Sequence, residues 1–323
     1  MKRLGLWAGV VLVLLLAGAL VFSGSVLGRA TVERETPFLI PAGSSLSSVA
    51  DNLEEAGLIT SADGFLLSAR LFGSSKPIQA GEFSLTPGMS QSDMLTAFQS
   101  GDVIRRFVTI PEGMPSVLVW ERLMAEELLT GEVDVPPEGS ILPDTYAFER
   151  GQSRASLVEQ MQNAMDLYLA EQWAKRGPDL AVDTMRDALI LASVVEKETG
   201  TPGERRTVAG LYSNRLKSGM KLQADPTIIY PITQGKPLGR RIRRSEISAV
   251  NGYNTYTRVG LPEGPITNPG RESIAAVLNP ERHGYLFMVA DGTGGHEFNE
   301  TLDAHNAAVE KWFELRRERG EME

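Results

Sequence analysis

The hydrophobic pattern begins with a run that has no polar face. After Met1-Lys2-Arg3, positions Leu4 to Phe22 carry no charged residue. As a helix rising about 1.5 Å per residue, this run measures roughly 28 Å, close to the hydrocarbon thickness of a bilayer. Basic residues ahead of it predict a cytoplasmic N-terminus and an exported remainder. The rival is a cleaved signal peptide, whose apolar region would be about 7–15 residues, followed by a small-x-small site. Ala17-Gly18-Ala19 lies inside the run and Ser23-Gly24-Ser25 is a weak site, so the pattern favours an uncleaved anchor. It predicts a cytoplasmic N-terminus over 1–3, an anchor over 4–26 and a linker over 27–36.

A phrase then recurs three times: Ile40-Pro41-Ala42-Gly43-Ser44, Leu85-Thr86-Pro87-Gly88-Met89 and Ile110-Pro111-Glu112-Gly113-Met114. Each time an apolar or β-branched stretch enters a Gly turn and helix-like text follows. Ser47 and Ser92 read as N-caps of two such helices. The spacing predicts a series of small strand–turn–helix units. Residues 130–140, with Gly131, Pro136, Pro137 and Gly139, break regular structure. Helices are predicted from Ser153 to Lys175, from Asp183 as N-cap to Thr199, and from Glu204 to Lys217. Beyond Gly219 the chain is rich in turns, with one strand over 285–290 and a charged helix over 302–319.

Composition narrows the class. The 323 residues carry a net charge of -9 and contain no cysteine. That excludes disulfides, thiolate metal sites and cysteine nucleophiles, and the missing basic surplus argues against a nucleic-acid partner.

The helix ending at Thr199 is apolar nearly all round, which predicts burial. At 100° per residue, Glu196 projects between Leu189, Ala192 and Ser193, and Glu198 lies opposite, flanked by Leu191 and Val194. A carboxyl in apolar surroundings keeps its proton to higher pH, as a general acid for a glycosidic oxygen must. Periodicity does not choose between the two glutamates. Downstream, Gln223 and Asp225 would face one way on an extended segment. Tyr253, Asn254 and Tyr256 offer stacking surfaces and an amide. Such groups suit sugar hydroxyls and acetamido groups; the plainer readings are a turn around Asp225-Pro226 and an ordinary surface loop.

These stretches carry a resemblance. Pro143-Asp144-Thr145-Tyr146, Ala192-Ser193-Val194-Val195-Glu196-Lys197-Glu198-Thr199, the run Asn214 to Tyr230, the run Tyr253 to Gly270, and Gly294-Gly295-His296-Glu297-Phe298 stand in this order. Over roughly 105–310 the chain resembles the endolytic murein transglycosylase (YceG-like) family. The resemblance implies an α+β fold: an N-terminal transmembrane helix, a small LysM-like strand–helix subdomain over 37–104, and a larger mixed α/β catalytic domain over 105–323 with a buried catalytic helix. It implies that Glu196 is catalytic, that Gln223, Asp225, Tyr253, Asn254, Tyr256 and Tyr146 contact substrate, and that no metal or other cofactor is needed. It also implies peptidoglycan glycan strands as substrate, cleaved to 1,6-anhydro ends, peptidoglycan synthases as partners, and a single-pass place in the cytoplasmic membrane with the catalytic domain outside. Ser140-Ile141-Leu142, Ala224 and Glu263 depart from the family pattern, and Arg240-Arg241-Ile242-Arg243-Arg244 is unusually basic.

Three other readings compete. Ser218-Gly219-Met220-Lys221 matches S-x-x-K, without the K-T-G or S-D-N elements of penicillin-binding enzymes. His296, Asp303 and His305 could serve a metal amidase, but no H-E-x-x-H is present. A peptidoglycan-binding scaffold without catalysis is the third.

Overall fold

The computed structural model describes residues 31–321. The anchor expected over 4–26 lies outside them. Among the described residues no helix is long and apolar enough to cross a membrane.

These residues form two compact units: 31–106 with 147–151, and 107–146 with 152–321. The first contains β1 (Thr36–Ile40), α1 (Leu46–Glu55), α2 (Ala62–Phe72), β2 (Gly81–Leu85) and α3 (Gln91–Ser100). The strands pair antiparallel with Phe38 opposite Phe83. Phe83 meets Phe98 edge-on at 5.0 Å, and Phe98 also packs on Phe38 at 5.9 Å. Val49, Leu53, Phe65 and Met94 close this core. Both helices following the strand turns are capped by serines, but two positions earlier than helical spacing suggests. Ser45 Oγ accepts the Ser48 N–H, and Ser90 forms a capping box with Asp93. The hydroxyl must sit where the backbone is still extended, and only Ser45 and Ser90 meet that condition.

β3 (Arg106–Thr109) is followed by α4 (Ser116–Ala125), so the third phrase is also a strand, turn and helix; β3 pairs with β4 (Thr145–Phe148). The break at 130–140 is held by buried Arg154, which opens α5 (Arg154–Ala174). Its Nε donates to Leu123 O at 2.7 Å, and its other nitrogens donate to Gly131 O and Glu126 O at 2.7 and 2.8 Å.

α6 (Met185–Glu198) is the centre of the larger unit, with Ala188 and every residue from Ile190 to Val195 buried. Its cap is Thr184, which accepts the Asp187 N–H; Asp183, the expected cap, stands one residue outside. α7 (Arg205–Lys217), preceded by a 3-10 turn over Pro202–Glu204, and α10 (Arg271–Leu278) pack on α6. Between them lie α8 (Pro226–Thr233) and the single turn α9 (Arg244–Ile247). Gly210 in α7 allows the chain at Glu281 to cross closely: a β-carbon there would lie 2.4 Å from Glu281 O. The expected strand over 285–290 is β5 (Phe287–Ala290). It pairs antiparallel with β6 (His296–Asn299), whose polar sequence concealed it, and α11 (Leu302–Glu318) lies against the hairpin.

Phe83→Ala is expected to destabilise the N-terminal unit by about 3–5 kcal/mol, the usual cost of emptying a packed phenylalanine site. Urea unfolding followed by circular dichroism should show an earlier transition; an unmoved one would contradict this account of the core.

Candidate active site

Glu196 stands in the last turn of α6 with its side chain 6% exposed. Its carboxyl does not end among the apolar side chains of its own helix, as helical spacing predicts. It reaches α10, where Oε2 accepts the Gly270 N–H at 3.0 Å and the Ser273 hydroxyl at 2.6 Å. Gly270 is the N-cap of α10 and has no side chain to cap with. The carboxyl of Glu196 accepts the N–H of that N-cap residue itself, at the helix end where free N–H groups and the helix dipole attract an acidic group.

Oε1 points toward the turn Glu112-Gly113; a β-carbon on Gly113 would lie 3.6 Å from it. Gly113 has φ +69, which favours glycine. Glu112 lies across Gly270 so closely that a β-carbon there would meet Glu112 Oε1 at 2.1 Å. One guanidinium joins the group. Arg205 places NH2 3.0 Å from Glu112 Oε2 and 3.9 Å from Glu196 Oε1, and NH1 2.7 Å from Glu272 Oε2. Burial, and then the neighbouring Glu196 carboxylate, push the Glu112 carboxyl above its ordinary range.

The turn is held by fully buried Asn268. Its side chain accepts the Ile141 N–H at 3.0 Å and donates to Met114 O at 2.9 Å and Ser116 Oγ at 3.1 Å; its carbonyl accepts the Gly113 N–H at 3.0 Å. Beside the turn opens a cavity of about 520 Å³. Glu112, Gly113, Lys197 and Tyr230 are among its walls, whereas Glu196 stands behind Gly113.

A model described as the YceG-like family matches residues 38–311. This chain belongs to the YceG-like family. It is 27% identical to the endolytic murein transglycosylase of Bacillus subtilis over 345 residues, covering 95% of this chain and 93% of that protein. It is 29% identical to the protein of the same name from Streptococcus pneumoniae D39, over 79% of this chain, which spans about half the length of that relative (54%). The crystal structure of a yceG-like protein from Listeria monocytogenes superposes with a TM-score of 0.52 at 26% identity, covering 85% of this chain and 99% of the other.

In this YceG-like chain the expected site residues divide. Gln223 and Asp225 are exposed while Leu222 and Ala224 are buried. Their segment is not extended, however: Gln223 has φ +52 and Asp225 begins α8. The Tyr256 hydroxyl donates to Asp225 Oδ1 at 2.5 Å, and burial, followed by this bond, drives the Tyr256 pKa upward. Tyr253 packs against Tyr230 at 4.8 Å. Two of the expected contacts lie inside the fold. The Tyr146 ring is buried, its hydroxyl donates to Leu142 O at 2.6 Å, and burial pushes its pKa up to about 12. Asn254 is fully buried and donates to Ala249 O at 2.7 Å and Ile247 O at 3.0 Å, while its Oδ1 accepts the Tyr256 N–H at 2.9 Å. Both brace the fold from inside, with their polar groups already used.

Asp225 and Tyr256 belong electrostatically to Glu198 rather than Glu196. Burial first, then the charge of Asp225, push Glu198 from 4.5 to about 7, opposed by a hydrogen bond with Tyr212 and by Arg215. The desolvated carboxyl that helical spacing predicts is therefore Glu198. The serine of S-x-x-K donates to Asn214 O as an ordinary helix-end contact. His296 is held by Glu204 at 2.8 Å, and His305 stacks on Phe287 at 5.3 Å. Among the described residues no three side chains converge as metal ligands. Sequence reasoning missed Glu112, Arg205 and Ser273. Glu112 carried one signal, its place in the third Pro-Gly phrase, and that phrase was read only as a turn.

Because folding raises the pKa of Glu198, the folded state binds its proton more tightly than the unfolded chain does. That stabilisation is present in full below pH 4.5 and is lost as pH rises through about 7, at most roughly 3 kcal/mol. Glu198→Gln should flatten this loss across the same window when urea unfolding is measured at successive pH values. Parallel curves for the two proteins would disprove it.

Proposed function

We propose that this protein is an endolytic lytic transglycosylase. It cleaves the bond between N-acetylmuramate and N-acetylglucosamine within peptidoglycan strands and leaves 1,6-anhydro-N-acetylmuramate ends. Glu196 is its central catalytic carboxyl. The names of the Bacillus and Streptococcus relatives support the substrate and the reaction. The observation that carries the site is the fixing of Glu196: Oε2 is occupied by Gly270 and Ser273, and Oε1 remains directed at the turn beside the cavity.

The reaction needs no water. The C6 hydroxyl of the muramate attacks its own C1, the glycosidic C–O bond breaks, and the departing oxygen takes up a proton. In a one-carboxyl cycle Glu196 Oε1–H gives that proton, and the same oxygen removes the proton of the C6 hydroxyl. Nucleophile and electrophile share one ring, which supplies the advantage of proximity. A hydrolysing pair would need its carboxyls about 5–9.5 Å apart to manage water or a glycosyl intermediate; an internal hydroxyl removes that requirement. Gln223, Asp225, Tyr253 and Tyr256 are the proposed contacts along the strand, being exposed or half-buried.

The proposal extends to place and partners. A helix over 4–26 anchors the chain in the cytoplasmic membrane with the catalytic unit outside, where cleavage terminates nascent strands beside peptidoglycan synthases. The N-terminal unit, two strands with two helices between them and a third after them, is read as LysM-like and as holding glycan.

Glu196→Gln is expected to lower release of 1,6-anhydro muropeptides from intact sacculi by at least ~10²-fold, the usual contribution of a general acid or base. Melting should stay at the wild-type temperature. Mass spectrometry of the products decides: wild-type release by the variant, or products ending in hydrated muramate, would overturn the assignment.

A further inference from the structure

The one-carboxyl cycle leaves Glu112 without a task, although Glu112 is the carboxyl in the cavity wall. Glu196 is 6% exposed and Glu112 43%. The two meet around Gly270, whose N–H is bound to Glu196 Oε2 and whose α-carbon is covered by Glu112. They also share NH2 of Arg205.

Arg205 faces three carboxyls, those of Glu112, Glu196 and Glu272. Lys197 donates to the backbone at Gly113 O, at 3.5 Å, and Lys236 in the cavity wall is paired with Glu121. Burial and the adjacent Glu196 carboxylate make the Glu112 carboxyl hold its proton more tightly than a free one. Glu196 Oε2 is bound by two fixed donors, whereas Glu272 is open to solvent at 67%. Glu112 combines partial burial, an adjacent carboxylate and access to the cavity.

We propose that Glu112 is the second catalytic carboxyl of this site, donating the proton to the departing glycosidic oxygen while Glu196 accepts the proton of the C6 hydroxyl. This rests on the transglycosylase reading and divides its two proton transfers between two groups. The C6–O to C1 bond forms as the C1–O bond to the next sugar breaks. The proton of Glu112 ends on the departing hydroxyl, and that of the C6 hydroxyl ends on Glu196. Transfer from Glu196 to Glu112 resets the pair, so no water, oxidant or metal enters the balance.

The test measures kcat, KM and the pH profile on isolated glycan strands for the full chain and for Glu112→Gln, Glu112→Asp and Glu196→Gln. Glu112→Gln should lose ~10²-fold in kcat with little change in KM. It should also lose the alkaline fall of kcat/KM, because that fall is the ionisation of the acid. Glu112→Asp, which withdraws the carboxyl by one carbon, should recover part of the rate together with the alkaline fall. A merely structural role for Glu112 would lower activity without altering the pH profile. Glu112→Gln at wild-type kcat, or changed only in KM, or with the alkaline fall intact, overturns the proposal and returns both transfers to Glu196. If Glu112→Gln does not fold, Glu112→Asp decides alone: wild-type kcat, or a reduced kcat with the alkaline fall at the wild-type pH, counts against the proposal, and a reduced kcat with the alkaline fall displaced along the pH axis counts for it. An active Glu196→Gln would instead sink the transglycosylase site itself, so the two failures are distinguishable.

Discussion

The contact between Glu196 and the first turn of α10 organises the larger unit. A helix start leaves N–H groups unsatisfied, and a buried one must find acceptors. The N–H of the N-cap residue Gly270 finds its acceptor in a carboxyl from another helix. That carboxyl is placed by α6, whose buried faces lock its rotation among α5, α7 and α10. Packing and capping thus fix the same atom. A glutamate at the end of a frayed surface helix would sample many rotamers; this one is restrained at Oε2 by two donors.

Once Glu196 is placed, the turn at Glu112-Gly113 has little freedom. Asn268 bonds to Ile141, Met114 and Ser116 and accepts the Gly113 N–H, so one buried amide joins three stretches of chain at the edge of the cavity. An unpaired amide there would be costly, and the full set of partners makes the arrangement unique. The same economy appears in the glycines. At Gly113 and Gly270 a carboxyl lies against the backbone, and a side chain on Gly270 would occupy the space of Glu112.

Two carboxyl systems therefore stand on opposite sides of one helix. Glu196 is surrounded by donors and a guanidinium. Glu198 lies against Tyr212, Arg215, Asp225 and Tyr256, and its proton affinity is raised by burial. They are two residues apart, yet their surroundings differ because α10 covers one side of α6 and the segment around Asp225 approaches the other. Strong desolvation falls on the glutamate that lacks the helix-capping contact.

Much of the local organisation was legible in the chain itself. The all-round apolar pattern of 189–195 required burial, and the repeated Pro-Gly phrases required strand, turn and helix in succession, because such patterns depend only on neighbours along the sequence. The ordered motifs pointed to the YceG-like family over most of the chain. The surroundings of Glu196 were not legible, since its partners Gly270 and Ser273 are 74 and 77 residues away. Helical spacing describes only the neighbours on the same helix, so it predicted an apolar setting that belongs to Glu198. Asn254 likewise reads from its neighbours as a binding amide, and the family resemblance implies a substrate contact for Tyr146, although the fold turns both side chains inward. The sequence by itself determined the local elements and pointed to the family to which the chain belongs. Only the tertiary structure decided which polar atoms meet, because hydrogen bonds and charge pairs act over a few ångströms in space and are indifferent to distance along the chain.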